Sequence, residues 1–543
     1  MQSALYIPEV RHAICAELSR DALSKLSRIS HDWSDVANIY LWETLENLVP
    51  LLCLMPADAW YLLPDASPSE ASFNLTRPLT PIDWDPVLRR SSLVKVLSLQ
   101  EYDAPTYATA AAQSMCHCPP PSTLLPRLRS LSFNTYADPQ FRRSQFQLQL
   151  ITSSLRVLRV EGPWPPGIGF MHVAASCPEL ESYGCDIEQV EATSSEIASD
   201  LARAVFGWRS LTVVELGLGR LGLTAVLPVL AQLPSLASVS LRCFGDPQKN
   251  LLLPKNSFPS LVHLTLCYLQ LPVMATIFRS WTMRPIATFS VTPNTGSSPE
   301  ELLHTLGCLQ EHCEPLNLHD LHISLRMNDP DGWSIRLEHL APLAHFPNLR
   351  RVAVYGPGQH TDINDDEFAQ MVQWWPHLQR LDLGTNVYHG GSGRLCSLSA
   401  LSFFAVGCED LTYLSLPLAA AVVPNIDSNR MKRHFNLSGL DVGNAPIEDP
   451  WAVALFLSAL FPNLNTVKYE KGTVDVDVDD LHIAGQEEVM RQRMAQWDLV
   501  NKILTVLRKK EAQTWASNAV YYEAVLPGFR HALASALAHR RAG

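Results

Sequence analysis

A chain of 543 residues, 47% hydrophobic and 18% charged, carries too much apolar surface to stay disordered and is too long for one compact core, so it divides into domains or extends as a repeat array. A formal charge of −12 and a pI near 5.8 exclude recruitment by nucleic acid or anionic membrane, both of which select lysine- and arginine-rich faces. Twelve cysteines, irregularly spaced from Cys15 to Cys408, read as free and mostly buried thiols of a reducing compartment.

The opening MQSALYIPEV has neither the basic nor the apolar region of a secretory signal, and Pro228 and Pro234 cut the longest apolar run below the length of a membrane span. The expectation is a soluble intracellular protein of the cytoplasm or nucleus. In residues 1–46 apolar residues return at helical spacing: Val10, Ile14 and Leu18, then Leu23, Leu26 and Ile29, then Val36, Ala37, Tyr40 and Leu41. Three short amphipathic helices follow, with Asp21 a candidate cap for the second. These residues resemble an F-box. Ile7-Pro8-Glu9-Val10 matches its opening, Ile14, Leu18, Asp21, Leu23, Leu26, Ile29 and Trp33 its middle, and Leu41-Trp42 with Leu45 its end. Ile7 stands where leucine is usual, and Ser30-His31 where cysteine and a basic residue are common.

Downstream, in a joining segment at 47–92, LVPLLCLMPADAW and RPLTPIDW are similar to the segments that link an F-box to leucine-rich repeats in a large group of mushroom-type fungal proteins. The resemblance implies that the head docks a Skp-type adaptor of a cullin-based, SCF-type ubiquitin ligase. The buried face would be formed by Ile7, Pro8, Glu9, Val10, Ile14, Leu18, Leu26, Trp33, Leu41 and Trp42. A helical cap over the open end of a solenoid is the alternative reading of the same residues.

From 93 to 470 one phrase recurs: LPRL at 125, LPSL at 233, FPSL at 258, FPNL at 346, WPHL at 375 and FPNL at 461. After each comes L-x-x-L-x-L with substitutions, and copies without the proline extend the series. The first apolar positions are Val94, Leu128, Leu155, Leu180, Leu211, Leu236, Leu261, Ile286, Leu318, Leu349, Leu378, Leu411, Leu437 and Leu464, at intervals of 25 to 34 residues. That spacing resembles leucine-rich repeats of irregular type, whose period is about 20–29 residues. The fold class expected is α/β, an irregular horseshoe-like solenoid of parallel strands with an all-α head. In the phrase itself the aromatic closes a helix's apolar face, proline stops the helix and leucine begins the next strand. Helix starts are written at Ser298-Pro299-Glu300-Glu301, a capping box, and at Asp449-Pro450. The asparagine that commonly follows the strand appears in register once, at Asn386, so the usual asparagine ladder is expected to be mostly absent.

Alternation along the strands places Arg351, Tyr355, Arg380, Asp382 and Tyr413 on the concave face, where a protein substrate would bind. Other signals have plainer readings. GLGRLG, with Gly217, Gly219 and Gly222, follows a strand and precedes a helix, but no acidic residue closes the next strand as a dinucleotide site requires. VDVDVDD at 474–480 and DINDDE at 362–367 lack the glycine and glutamate of a calcium loop, and read as an acidic strand edge and a charged helix start. HGGSG at 389–393 reads as a turn. The pairs Cys116/Cys118 and Cys308/Cys313 lack the second spaced pair of a zinc site. The tail, 471–543, reads as a helical cap with Val489, Met490, Met494, Trp497, Val500, Ile503, Leu504 and Leu507 on one face.

The expected function is therefore a substrate receptor without catalytic residues, cofactor or metal, binding an adaptor and a protein substrate. A leucine-rich-repeat scaffold that recruits no ligase is the alternative.

Overall fold

A computed structural model describes residues 7–63, 72–99, 106–107, 109–134, 149–164, 168–186, 195–244, 251–293, 297–325, 333–356, 361–384, 395–424, 432–469 and 481–514. The chain forms two compact units, Met1–Trp333 with Glu338–Gly358, and Ser334–Leu337 with Gln359–Gly543.

The first unit opens on three helices, α1 (Pro8–Ala16), α2 (Arg20–Leu26) and α3 (His31–Glu43). Proline at its first position starts α1, where the missing N–H costs nothing. Ser19 and Ser30 cap the next two by accepting from the N–H of Ala22 and of Trp33. Asp21, the expected cap, instead lies inside the first turn of α2, where its charge meets the positive end of the helix. Cys15, Leu23, Val36 and Ala37 form the core of the head, with Leu18, Leu26, Trp33, Tyr40 and Leu41 packed against it.

Helix α3 runs directly into β1 (Thr44–Leu45), which pairs in parallel with β2 (Val96–Leu99). The sheet thus recruits its first strand from the end of the helical head, upstream of residue 93 where the repeats were expected to begin. Between β1 and β2 the joining segment holds an antiparallel pair, Trp60–Leu63 with Ser72–Leu75, then a 3-10 turn, Pro81–Trp84, and the helix Asp85–Ser91. The parallel ladder continues in chain order through β3 (Ser130–Asn134), β4 (Val157–Pro163), β5 (Ser182–Asp186), β6 (Val213–Gly219), β7 (Ser238–Phe244), β8 (His263–Cys267), β9 (Thr288–Thr292), β10 (Asp320–Ser324) and β11 (Arg351–Tyr355). Helices such as Ser195–Gly207, Leu271–Arg279 and Pro299–His312 return the chain between strands, as a parallel connection demands. The second unit repeats the scheme with β12 (Arg380–Asp382), β13 (Tyr413–Ser415), β14 (Gly439–Asp441) and β15 (Thr466–Lys468), again parallel and in order. This is the α/β architecture of leucine-rich repeats.

The repeat is a burial device. Each first apolar position from Val94 to Leu464, fourteen in all, is 0% exposed, at about 25 cal/mol for each Å² of apolar surface removed from water. The aromatic occupies nearly one backbone state in three copies of the recurring phrase, Phe346, Trp375 and Phe461 ending their helices at φ −111, −128 and −125° with ψ 79, 72 and 77°, while Phe258 departs from it at φ 54°. Cys408, followed by Glu409, ends its helix in the same state, at φ −120° and ψ 80°, so the state belongs to the helix-to-strand junction rather than to the proline. The rings of Phe346, Trp375 and Phe461 are all buried.

The polar residue just before the strand leucine has its own task. Ser235 and Ser260 donate to the carbonyls of Arg209 and Pro234, and Asn348 to that of Leu316, at 2.6 to 2.9 Å. In the second unit Asn436 and Asn463 donate to Glu409 and Phe435 at 2.7 and 2.8 Å. These five repeats thereby hydrogen-bond to the same point of the repeat before them, an outer ladder beside the buried leucines. Asn386, VDVDVDD and HGGSG lie outside the described residues.

Local signals written in the sequence appear as expected. Ser298 and Glu301 form their capping box, and Asp449 accepts from the N–H of Trp451 and Ala452. In DINDDE, Asn364 caps the helix Asp365–Trp374 with Asp365, Asp366 and Glu367 in its first turn. The tail helix, Leu481–Thr514, buries Trp497, Val500, Ile503, Leu504 and Leu507. Its predicted apolar face is too long, however: Val489 is 46% exposed, one turn before Arg493, which donates to the Asn444 carbonyl. Among the described residues no helix is long and apolar enough to cross a membrane.

Candidate functional site

Three surfaces bear on function: the head, and the outward-facing strand positions of each unit. On the head, Ile7 is 46% exposed, and Pro8 and Glu9 beside it are exposed. Val10 and Ile14, one helical turn apart, are half-buried. Leu18, Leu26, Trp33 and Leu41 are largely committed to the head's own core, and Trp42 donates its indole N–H to Asn38, which donates in turn to Ser34. The apolar surface left free on the head comprises Ile29, 68% exposed just beyond α2, and a lip at the start of α1. Behind it, Arg20 donates to the Thr44 carbonyl on the first strand of the sheet.

On the first unit's sheet, charges are paired across strands in a repeated design. Arg159 of β4 reaches Glu215 of β6 at 3.2 Å, passing over Gly184 of β5. One strand on, Asp186 of β5 meets Arg242 of β7 at 3.4 Å, passing over Gly217 of β6. A Cβ at Gly217 would fall 2.6 Å from Asp186 Oδ1. This accounts for the first glycine of GLGRLG without a nucleotide: it leaves room for an ion pair that spans three strands. Arg351 is likewise spoken for. It forks onto Asp320 of the neighbouring strand, one arm at 2.7 Å, while Tyr355 packs edge-on against His322 with ring centroids 5.6 Å apart.

The second unit brings Arg380, Asp382 and Tyr413 together and adds Asp441 and Lys468, which sequence reasoning passed over. Across the strands the outward positions run Arg380, Tyr413, Gly439, Thr466 in one row and Asp382, Ser415, Asp441, Lys468 in the next. The Arg380 guanidinium lies 4.1 Å and the Lys468 ammonium 5.5 Å from the centre of the Tyr413 ring. The ring extends over Gly439, where a Cβ would fall 3.0 Å from it, and its hydroxyl donates to Asp441 at 3.3 Å.

The two carboxylates turn away from this surface. Asp382, expected on the open face, is 5% exposed. It accepts from Arg380 and from the N–H of Gly384, and Asp441 accepts from the N–H of Gly443. Both glycines have positive φ, 74 and 52°, the conformation that lets the turn fold back on the carboxylate. The signal was in the sequence as a repeated phrase, LDLG at 381–384 and LDVG at 440–443.

No protein-family model matches the chain, and no curated protein does. Among solved structures it is similar to the Rad7 and Elc1 complex of yeast, with 12% identity and a TM-score of 0.34 over 65% of this chain and 79% of that one. It is also similar to the leucine-rich-repeat ectodomain of the plant membrane receptor kinase GASSHO1/SCHENGEN3 from Arabidopsis thaliana, in complex with CASPARIAN STRIP INTEGRITY FACTOR 2. There the identity is 12% and the TM-score 0.25, over 71% of this chain and 57% of that one. The fold therefore rests on the chain's own ladder of strands.

Burial pushes the Asp441 carboxyl above the ordinary carboxylate range, with Asp382 adding to the shift against the Gly443 N–H and Tyr413 hydroxyl, which favour the charge. A carboxyl raised on folding takes stability away as pH climbs from its unfolded value toward its folded one. Asp441→Asn is accordingly expected to raise the melting temperature at pH 7, and to lose that advantage near pH 4, where the unfolded carboxyl, at about 3.9, also binds its proton. Paired thermal melts at the two pH values check it; a variant that melts lower at pH 7 refutes it. Burial pushes the Cys177 thiol up to about 11 and Cys185, Cys243 and Cys408 up to about 12, opposite to the shift a nucleophilic cysteine needs.

Proposed function

We propose that the chain is a non-catalytic substrate receptor of a cullin-type ubiquitin ligase, working in the cytoplasm or nucleus, with the helical head docking a Skp-type adaptor and the outward strand faces holding a protein substrate. The observation that carries this reading is the apolar lip of Ile7 and Pro8, left uncovered on a head whose own core is already closed by Cys15, Leu23, Val36 and Ala37. Ile7 and Pro8 stand at the opening of the F-box-like motif, the place where that resemblance puts the adaptor. The strand faces, for their part, present side chains that can vary independently of the leucines beneath them, which suits recognition.

Co-expression of the full chain with a Skp-type adaptor tests the proposal. The wild-type protein is expected to retain the adaptor through purification, and the double variant Ile7→Asp, Pro8→Ala to lose it, by about tenfold or more in affinity. Both residues are exposed, so the variant should keep its fold. Failure of the wild-type chain to retain the adaptor would overturn the proposal and favour the scaffold reading. In that case the Arg20 bond to the Thr44 carbonyl and the continuity of α3 with β1 make the head the end-cap of its sheet.

A further inference from the structure

We infer that Arg380, Tyr413 and Lys468 form the recognition surface of the second unit and that they take an acidic side chain, carboxylate or phosphorylated, from a protein segment laid across the strands. The inference deepens the substrate-holding part of the proposed function and rests on it.

The argument is one of exposure and charge. In a chain of net charge −12, the outward face of β12 to β15 would be neutral on a count of its ionisable residues, two acids against two bases. Its geometry separates them. The side chain of Asp382 is 8% exposed against 47% for Arg380, and Ser415 beside Asp382 is 2% exposed. Asp441 is half-buried, with its oxygens directed to the Gly443 N–H and the Tyr413 hydroxyl. The acids are thus bound into the turns below, and an approaching partner meets the cations. Lys468 is exposed at one side of the Tyr413 ring and Arg380 at the other side of the row. Both cationic ends lie within 5.5 Å of one ring centroid, so an acidic segment laid across the ring meets positive charge on either side of it.

Preorganisation strengthens the case. The ring is held over Gly439 and through its hydroxyl, and Arg380 is held by both the ring and Asp382, so little side-chain freedom remains to be lost on binding. A guanidinium fixed this way keeps free N–H donors for a carboxylate or phosphate. Arg159 and Glu215 of the first unit, 46 and 48% exposed, show the contrasting arrangement, in which acid and base meet each other at the surface.

The test uses the full-length chain titrated with two probes, an octaglutamate peptide and a glycine-flanked phosphoserine peptide, with octalysine as the control. Wild-type protein is expected to bind at least one anionic probe, more weakly at high salt, and octalysine not at all. Arg380→Gln with Lys468→Gln should weaken binding about tenfold or more, and Lys468→Gln alone, which leaves the Arg380–Asp382 pair intact, by less. Binding of the phosphopeptide alone assigns the site to a phosphorylated partner, and binding of both assigns it to a carboxylate. Equal binding by wild type and the double variant, or no binding of either probe, overturns the inference. Adaptor retention measured on the same preparations separates the two proposals. Retention without peptide binding sinks this inference only, and peptide binding without retention sinks the ligase reading and leaves this site standing.

Discussion

Truncating Trp497 to alanine is expected to destabilise the second unit by about 3–5 kcal/mol, the cost of emptying a fully packed aromatic site. Trp497 is 1% exposed, and its indole N–H donates to the Ala445 carbonyl at 2.9 Å, so the variant both opens a cavity and orphans a buried acceptor. The helix it anchors closes the free edge of β15, the last strand of its sheet. Four residues on, Asn501 accepts from the Val467 N–H at 2.9 Å and donates to the Val467 carbonyl at 2.8 Å. A side-chain amide here stands in for the missing next strand. Asn501→Leu isolates that role: it keeps the helix apolar, leaves the two backbone groups unpaired, and is expected to cost about 1–3 kcal/mol. An uncovered edge pairs with other chains, so both variants should form concentration-dependent oligomers in sedimentation, with urea midpoints read by circular dichroism reporting the loss. An Asn501→Leu protein as stable and as monomeric as wild type would show that the edge needs no cover.

What the sequence revealed and what it hid divide along a physical line. The strand leucines could be read because their burial is dictated locally: each must leave water, and its neighbours at fixed offsets say which way the strand faces. Ser298 with Glu301, and Asp449 before Pro450, were equally legible, since a cap and its helix lie within four residues of each other. Partners brought together across strands were not. Gly217 drew notice as part of a glycine triplet, but its reason is the Asp186–Arg242 pair, residues 56 positions apart whose alignment depends on repeats of unequal length. Alternation put Arg380 and Tyr413 on the right surface and also put Asp382 there, because alternation knows nothing of the turn beyond the strand, where Gly384 draws the carboxylate down. Asn501 was invisible for a related reason: a lone polar residue in an apolar helical stripe reads as an interruption until the strand edge it covers is in place. The head shows the limit of a motif. Leu18, Leu26, Trp33 and Leu41 match the F-box pattern, and that pattern does not separate residues that build the head from residues a partner would meet.

The joining segment offers the other large effect, at Asp83. In RPLTPIDW the structure gives five of the eight residues a reason. Pro81 begins the 3-10 turn, and Trp84, 0% exposed, donates to the Cys118 carbonyl at 3.0 Å. Asp83, 3% exposed, receives both arms of Arg77 at 2.8 Å and both the N–H and the hydroxyl of Thr80 at 2.7 and 2.9 Å. Arg77 in turn donates to Asp58 at 2.8 Å. The guanidinium beside it holds the Asp83 carboxyl well below the usual carboxylate range, the Thr80 donors helping and burial opposing. A carboxyl depressed on folding contributes stability in full above its unfolded value, about 3.9, and loses it as pH falls from there toward the folded value. Asp83→Asn keeps the shape and removes the charge, leaving a buried donor set short of an acceptor, and is expected to cost about 2 kcal/mol at pH 7. Because the wild-type protein surrenders the same contribution in acid, the gap between the two melting curves should hold from pH 7 to about 4 and close as pH is lowered further, from about 4 toward 2. A gap that stays constant over that range would mean the bond network holds the joining segment by shape alone, and that the charge on Asp83 contributes nothing to it.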